Sequence, residues 1–303
     1  MPIRALLLLI LLTQSSSSVI DKTQLLADLK ALSADDMQGR RVDTPGGEKA
    51  RVYIEQRFRA SGIQPFEGNY QFPFTFRSGR GANAMDRHGV NVVGRIVGTS
   101  DAERYIVVSA HYDHLGVQNG RVFHGADDNA SGTAALFSIA QHFSTYRPVH
   151  SLIFAAFDAE ETGLQGSLEF VTHPPVPVAS IALDINADMI ARDNTLFVVG
   201  TFLQPFLKPG VERIIAKAPA KTVIGHDNPT QKNVEDWTRD SDHYSFIQAK
   251  IPALYFGVED YAQHHKATDT YETIDPVFYA HAVETLILAV QEFDFNLPVP
   301  PRK

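Results

Sequence analysis

The sequence contains no cysteine. This absence excludes disulfide bridges, a thiolate nucleophile and any cysteine-ligated zinc or iron–sulfur site. A transition metal must therefore be held by histidine, aspartate or glutamate side chains. The 303 residues include 12 histidines and 35 acidic residues, so ligands of this kind are plentiful.

The sequence also lacks a run of lysine or arginine. Its 27 basic residues are outnumbered by 35 acidic ones, and the formal net charge is -8. Because phosphate binding needs a basic face, we expect no nucleic-acid partner. The hydrophobic fraction of 44% and the charged fraction of 20% are ordinary for a soluble globular protein. They exclude a disordered tail, a collagen-like fibre and a polytopic membrane protein.

Several catalytic motifs are missing as well. The chain has no Gly-x-Ser-x-Gly elbow, no His-Glu-x-x-His helix, no P-loop and no Gly-x-Gly-x-x-Gly turn. Serine hydrolase chemistry and nucleotide binding of the usual kinds are therefore not indicated.

The first 18 residues are typical of a secretory signal peptide. Arg4 supplies a positive start, and the apolar run 5–12 is too short to span a bilayer core of about 30 Å. Small residues at 15–18 predict cleavage near Ser18. We therefore expect an exported protein, periplasmic or secreted, with no membrane anchor after cleavage and one catalytic domain over residues 19–303.

Short apolar strands alternate with helices along this mature chain. Strands are predicted at 70–76, 91–97, 105–110, 151–157, 181–185, 196–199 and 253–256. Helices are predicted at 23–32, 47–61, 131–143, 167–171, 205–216 and 276–293, and a polar loop at 78–89. The alternation predicts a single-domain α/β fold, with a mixed, largely parallel sheet flanked by helices on both faces.

Five polar segments follow predicted strands or open a helix. They are residues 111–116, 125–132, 158–163, 184–190 and 264–270. Because ligands bind beyond the carboxyl ends of strands in such sheets, we expect these segments to meet at one edge. Their mixture of histidine and carboxylate side chains suits zinc.

Within each segment the residues alone leave alternatives. Asp127 and Asp128 open a helix, where acidic residues also serve as caps. Either Asp184 or Asp188 could be the functional aspartate after its strand. Adjacent acids such as Glu160 and Glu161 point in opposite directions in an extended chain, so one could bind metal while its neighbour faces the substrate water.

In order and spacing, the five segments resemble metallopeptidase family 28, a group of co-catalytic zinc exopeptidases dominated by aminopeptidases. The resemblance begins at 32–40 (Leu-Ser-Ala-Asp-Asp-Met-Gln-Gly-Arg), includes Thr-Pro-Gly-Gly at 44–47 and runs to 266–270. It implies a zinc-peptidase fold of the phosphorylase/hydrolase-like kind and two zinc ions per chain. The stretch 66–104 is too short to hold the protease-associated domain of larger members.

The resemblance also implies roles. The implied zinc ligands are His111, Asp128 as the bridging carboxylate, Glu161, Asp188 and His265. Glu160 matches the general base, and Asp113 matches the catalytic-site partner that orients His111. Asp184 and His264 are the lesser candidates beside Asp188 and His265. Asp127 matches no ligand and is expected to cap or brace its loop. The Ser-Asp-His segment at 241–243 resembles a recurrent segment near the substrate pocket, without a firm role.

We therefore expect an exported zinc-dependent aminopeptidase that hydrolyses peptides with a free N-terminus, with Glu160 taking the proton of a metal-activated water. A carboxypeptidase or a glutaminyl cyclase on the same scaffold is the alternative. A non-catalytic binding module is disfavoured because the whole ligand set and Glu160 are present.

Overall fold

The computed structural model describes residues 19–79, 81 and 84–297. The predicted signal peptide, 1–18, lies outside the described residues. The helices are α1 (Lys22–Leu32), α2 (Pro45–Ala60), α3 (Gly132–Thr145), α4 (Gln165–Thr172), α5 (Lys208–Ile215), α6 (His243–Gln248) and α7 (Pro276–Phe295). The strands are β1 (Gln64–Pro65), β2 (Gln71–Ser78), β3 (Met85–Ile96), β4 (Asp101–His111), β5 (Gly116–Gln118), β6 (Arg121–Phe123), β7 (His150–Phe157), β8 (Ile181–Ala187), β9 (Leu196–Val199), β10 (Thr222–Ile224) and β11 (Ala253–Gly257).

Nine of these strands form one sheet. Its order is β1-β3-β7-β4-β8-β11-β9-β10, and β2 pairs with β3 outside this path. The four central strands, β7, β4, β8 and β11, run parallel to one another. Antiparallel neighbours flank them, β3 beside β7 and β9 beside β11. Strands β5 and β6 form a separate hairpin.

Both faces of the sheet are covered by helices. On one face, Ile106 and Val108 of β4 pack in a cluster with residues of α1, α2, α3, α5 and α7. On the other face, Val107 packs with Phe170 of α4 and Phe246 of α6. Successive side chains of a strand point to opposite faces, so a continuous apolar run fills both cores. The predicted fold class is confirmed.

The differences from the predicted elements lie in short or polar segments. Strand β3 begins at Met85, inside the predicted loop 78–89, and its first residues pair with β2. These residues are largely exposed, so no apolar pattern marks them. Strands β1, β5, β6 and β10 and helix α6 were not predicted, because two to six residues are too few for a periodic signal.

Helix α7 is the longest helix and belongs to the core. The side chain of Asp275 accepts hydrogen bonds from the amides of Val277 and Phe278, and Pro276 occupies the first turn. Both features are typical of a helix start. Within the described part of the chain, no helix has the length and hydropathy needed to cross a membrane.

Candidate active site and metal centre

The carboxyl ends of the four parallel strands bring the predicted segments together. His111 is the last residue of β4 and lies opposite Phe157, the last residue of β7. Asp188 directly follows β8, and the loop after β11 carries His265. Parallel strands end at the same edge of a sheet, which is why residues far apart in sequence meet here.

A first cluster of ligand atoms forms around His111. Its Nε2 lies 3.2 Å from Asp188 Oδ1 and 3.4 Å from Asp128 Oδ1. Ligands held at about 2.0–2.2 Å by a tetrahedral zinc ion lie roughly 3.3–3.6 Å apart, so the spacing fits zinc. The other ring nitrogen, Nδ1, is 3.1 Å from the carbonyl oxygen of Asp113 and 3.7 Å from its carboxylate. The backbone carbonyl therefore shares the orienting role predicted for the Asp113 carboxylate.

A second cluster forms on the other side of Asp128. Asp128 Oδ2 lies 3.4 Å from His265 Nε2, which is also 3.0 Å from Glu161 Oε2. His264 Nε2 is 3.7 Å from the same Asp128 oxygen. The two carboxylate oxygens of Asp128 thus face different clusters, as the two ends of a bridging ligand would.

Buried atoms without partners support a metal in these clusters. Asp128 Oδ2, Glu161 Oε1 and both ring nitrogens of His114 have no hydrogen-bond partner among the described residues. Such atoms are costly in a folded protein, by about 1–3 kcal/mol each, unless an ion or water satisfies them. The donor set, which combines imidazole nitrogen and carboxylate oxygen, fits zinc.

The pKa shifts of the site residues also support a bound metal ion. Burial raises the pKa of Asp128 well above its usual range, and the neighbouring Glu161 adds to this effect. Burial alone would lower the pKa of His111, but the carboxylates of Asp188 and Glu160 raise it well above its usual value. The clusters therefore hold an excess of buried negative charge, which a divalent cation would neutralise.

Glu160 and Glu161 lie in a tight turn rather than in the extended chain that we predicted. Ala159 adopts a left-handed conformation with a φ of 60° and leads into a 3-10 turn at Glu160–Thr162. One residue of such a turn rotates the side-chain direction by about 120°, which separates the two carboxylates. The amide of Glu160 donates to Asp113 Oδ1 at 3.0 Å, and burial raises the pKa of the Glu160 carboxyl well above its ordinary value.

Residues 91–290 match the model of peptidase family M28. The chain belongs to this family. The predictions of the family and of its zinc cofactor are confirmed, and the described residues include groups of histidine and carboxylate side chains that could hold metal ions.

Among curated relatives, a probable glutamate carboxypeptidase of Arabidopsis thaliana is 30% identical over 207 residues, 63% of this chain and 28% of the relative. A probable zinc metalloprotease of Pyrenophora tritici-repentis is 27% identical over 207 residues, 58% of this chain and 48% of the relative. The chain thus spans less than a third of the length of the first relative and about half of the second.

Solved structures with the same fold include two kinds of enzyme. A glutaminyl cyclase of Fimbriiglobus ruber has a TM-score of 0.73 at 19% identity and covers 90% of this chain and 95% of its own. A zinc aminopeptidase of Bacillus subtilis has a TM-score of 0.70 at 15% identity, with coverages of 95% and 98%. At these identities the likeness shows the fold alone.

In this M28 peptidase, Asp188 is held by a partner that the sequence did not identify. Ser241 Oγ donates to Asp188 Oδ2 at 2.7 Å, and Asn186 Nδ2 donates to Ser241 Oγ at 2.7 Å. The recurrent Ser-Asp-His segment therefore supports a candidate ligand. Asp184 is not brought to either cluster, because it lies within β8 and accepts from Ser109 Oγ at 2.8 Å.

Asp128 is positioned through its backbone. The carboxylate of Asp269 accepts from the amides of Asp127 at 2.9 Å and Asp128 at 3.1 Å, and Arg192 donates to the same carboxylate at 2.6 Å. Asp127 braces the loop, since its Oδ1 accepts from the amide of Ala191 at 2.8 Å. Sequence reasoning missed Asp269 and Arg192 as positioning groups, although Asp269 lies in the family-like segment 266–270.

The Arg40 side chain also links two of the site segments through hydrogen bonds to their backbone. Its acceptors are the carbonyl oxygens of Leu32, Tyr112, His124 and Gly125, at 2.6–2.8 Å. The side chain is completely buried, and burial lowers its pKa to about 10, so the guanidinium remains charged at neutral pH. The only sequence signal for Arg40 was its place at the end of the family-like segment 32–40.

A cleft of about 550 Å³ opens over the two clusters. Besides the candidate ligands and Glu160, its wall has apolar and charged parts. The apolar part comes from Leu164, Met189, Trp237, Tyr255 and Val258, and the charged part from Glu235, Arg239, Asp240 and Asp260. This size and this mixed lining suit a small polar ligand such as the end of a peptide. The predicted segments thus meet at the floor of one cleft.

Proposed function

We propose that this M28 peptidase is a two-zinc aminopeptidase. The observation that carries the proposal is the position of Asp128, whose two carboxylate oxygens face two ligand clusters at the floor of an acidic cleft. His111 and Asp188 would complete the first zinc site. Glu161 and His265 would complete the second. When bound, zinc polarises a substrate carbonyl and lowers the pKa of water towards about 7.

Glu160 supplies the proton transfer in this proposal. Its carboxylate takes a proton from the water as the water oxygen adds to the scissile carbonyl carbon. The same carboxyl then gives the proton to the nitrogen of the leaving amine as the carbon–nitrogen bond breaks. Burial favours a carboxyl that can hold a proton, and the hydrogen bond to Asp113 fixes the backbone of Glu160.

The charge of the cleft favours a free amino terminus over a free carboxylate. Glu235 and Asp240 lie at the wall of the cleft beyond the candidate ligands, whereas Arg239 is the one arginine or lysine among the described residues that line it. An excess of carboxylates attracts the cationic α-amino group of a peptide and repels an anionic terminus.

Three tripeptides with the same Leu-Ala-Ala sequence test the proposal. One has a free amino terminus and a C-terminal amide, the second is acetylated and amidated, and the third is acetylated with a free carboxylate. We expect the zinc-loaded enzyme to cleave only the first, a chelator to abolish cleavage, and zinc to restore it. Cleavage of only the third peptide, or cleavage of the first two at equal rates, would refute the aminopeptidase assignment.

Carboxypeptidase activity is the second candidate, and Arg239 is the observation that favours it. A guanidinium in the cleft could pair with a C-terminal carboxylate in a bidentate manner. The curated relatives include probable glutamate carboxypeptidases, which agrees with this candidate. If the third peptide is the substrate, Arg239→Gln should raise its KM, whereas for an aminopeptidase this change should leave the KM of the first peptide nearly unaltered.

A glutaminyl cyclase would act on different peptides. The zinc-loaded enzyme should release no ammonia from a peptide with N-terminal glutamine, because the proposed reaction is hydrolysis of the peptide bond. Ammonia release with formation of a pyroglutamyl end, in the absence of peptide cleavage, would replace the aminopeptidase proposal.

We further propose that the enzyme is exported, on the basis of the signal-like residues 1–18. N-terminal sequencing of the protein from cell fractions tests this proposal. We expect a mature chain that begins near Val19 outside the cytoplasm. A full-length chain beginning at Met1 and found only in the cytoplasm would contradict it.

A further inference from the structure

His114 has no role in the site described so far, although it lies at its centre. It follows His111 by three residues, and its side chain is completely buried. Neither ring nitrogen has a hydrogen-bond partner among the described residues. A buried imidazole whose ring nitrogens make no well-aligned hydrogen bond is unusual in a folded protein, because buried polar groups are nearly always satisfied.

The atoms around His114 show what its Nδ1 nitrogen faces. Nδ1 lies 2.7 Å from Glu161 Oε1 and 3.6 Å from Asp128 Oδ2. The contact between His114 Nδ1 and Glu161 Oε1 has the length of an ion pair but not the alignment of a hydrogen bond. His114, Asp128 and Glu161 form one group whose ligand atoms could hold a metal ion.

We propose that His114 is a fourth protein ligand of the second zinc ion, through Nδ1. The inference rests on the two-zinc centre of the proposed function. The other donors of this ion would be Asp128 Oδ2, Glu161 and His265 Nε2. The distance of 3.6 Å from His114 to Asp128 and the distance of 3.4 Å from His265 to Asp128 both fit ligands of one tetrahedral zinc ion.

The backbone makes room for the His114 ring at this position. Gly125 has a left-handed φ of 57°, and a Cβ atom on it would lie 2.5 Å from His114 Cγ. A side chain at residue 125 would therefore displace the ring. Arg40 donates to the carbonyl oxygen of Gly125 at 2.8 Å and holds this stretch of backbone in place. The backbone around residue 125 thus fixes the position of the ring, as the support of a preorganised site would.

A fourth ligand makes the two zinc sites unequal. The first site has three protein ligands, from His111, Asp128 and Asp188, and keeps a position for water or substrate, as catalytic zinc sites do. The second site would have four protein ligands, one more than the first. We therefore expect the second ion to be held more tightly and to be released after the first.

Zinc titration of the full chain against a competing chelator tests this inference without a substrate. The parent protein should show two steps of different affinity. His114→Gln should weaken the tighter step by about 100-fold or more, beyond the roughly 10–100-fold typical of groups that only support a ligand. The weaker step should change little. Loss of a nitrogen ligand should also alter the visible absorption of the cobalt-loaded protein.

A matched variant and a stability measurement separate a ligand from a buried structural residue. His142→Gln replaces another buried histidine, in the last turn of α3, which belongs to none of the candidate ligand groups. It should keep both zinc steps. The zinc-free His114→Gln protein should unfold at about the same temperature as the zinc-free parent, while the stabilisation that zinc adds should become smaller.

Three results would overturn the inference. They are unchanged zinc affinity in His114→Gln, an equal loss in His142→Gln, and a loss of stability in zinc-free His114→Gln with the zinc steps intact. Failure of the proposed function is a separate outcome, because a parent protein that binds two zinc ions but cleaves no peptide with a free amino terminus leaves the titration interpretable.

Discussion

Replacing Arg40 by methionine removes a buried cation while keeping a side chain of similar length. The guanidinium donates four hydrogen bonds, all to backbone carbonyl oxygens, and two of these belong to Tyr112 and Gly125. Tyr112 follows the candidate ligand His111, and Gly125 precedes the candidate ligand Asp128. The substitution therefore disturbs two of the three segments that supply the first zinc site.

The expected loss in the free energy of unfolding follows from the four hydrogen bonds of Arg40. A bond to a charged group contributes about 1.5–3 kcal/mol, so four would total roughly 6–12 kcal/mol if they were additive. They are not additive, because the variant no longer has to bury the charge of Arg40. Four buried carbonyl oxygens would lose their donor, at about 1–3 kcal/mol for each one left unsatisfied, and removal of the buried charge offsets part of this cost, so we expect a loss of about 4 kcal/mol in the free energy of unfolding. This is a large part of the roughly 5–15 kcal/mol that stabilises a typical domain.

Urea unfolding of the zinc-loaded and zinc-free proteins measures this loss through the midpoint and the slope. The loss should be larger without zinc, since Arg40 is then one of few positive charges near Asp128 and Asp269. Arg77→Met is the control. Arg77 forms an exposed ion pair with Asp86 at 3.7 Å, so its replacement should change the free energy of unfolding by about 0.5 kcal/mol or less. A loss below about 1 kcal/mol in Arg40→Met would refute the reasoning.

Three further predictions concern the site itself. Glu160→Gln should keep its zinc in metal analysis but lose about 10²–10⁴-fold in kcat, because the amide cannot accept the proton; activity near the parent's would remove Glu160 from its role. Asp128→Ala should lose both zinc ions together, since both clusters use its carboxylate; two zinc ions retained on analysis would exclude a bridge. Ser241→Ala should weaken zinc binding at the first cluster by about 10–100-fold through the lost hydrogen bond to Asp188; an unchanged titration would show that Ser241 does not support the ligand.

The sheet was predictable because its central strands are buried on both faces. Such strands appear in the sequence as short continuous apolar runs, as at 152–157, and need no knowledge of their neighbours. Elements whose stability depends on their neighbours were not predicted. The first residues of β3 are exposed and strand-like only through pairing with β2, and α6 is too short to show a helical period.

The residues that position the candidate ligands were not predicted from the sequence, for a related reason. Asp269 bonds the amide of Asp128 across 141 residues of chain, and Ser241 bonds Asp188 across 53. A hydrogen bond between such distant positions leaves no local pattern of composition or spacing. The resemblance to the family pointed to the segments that contain these residues, but it assigned them no partners.

The sequence by itself determined the order of the longer strands and helices, the kind of ligand available and the places where the central strands end in polar residues. These features depend on local hydrophobic patterning and on side-chain chemistry. Only the tertiary structure decided that Asp188 rather than Asp184 meets His111, that Asp128 faces two clusters, and that the His114 ring lies beside Glu161. The sheet order places β4 between β7 and β8, so spatial neighbours at the site are set by strand pairing and not by distance along the chain.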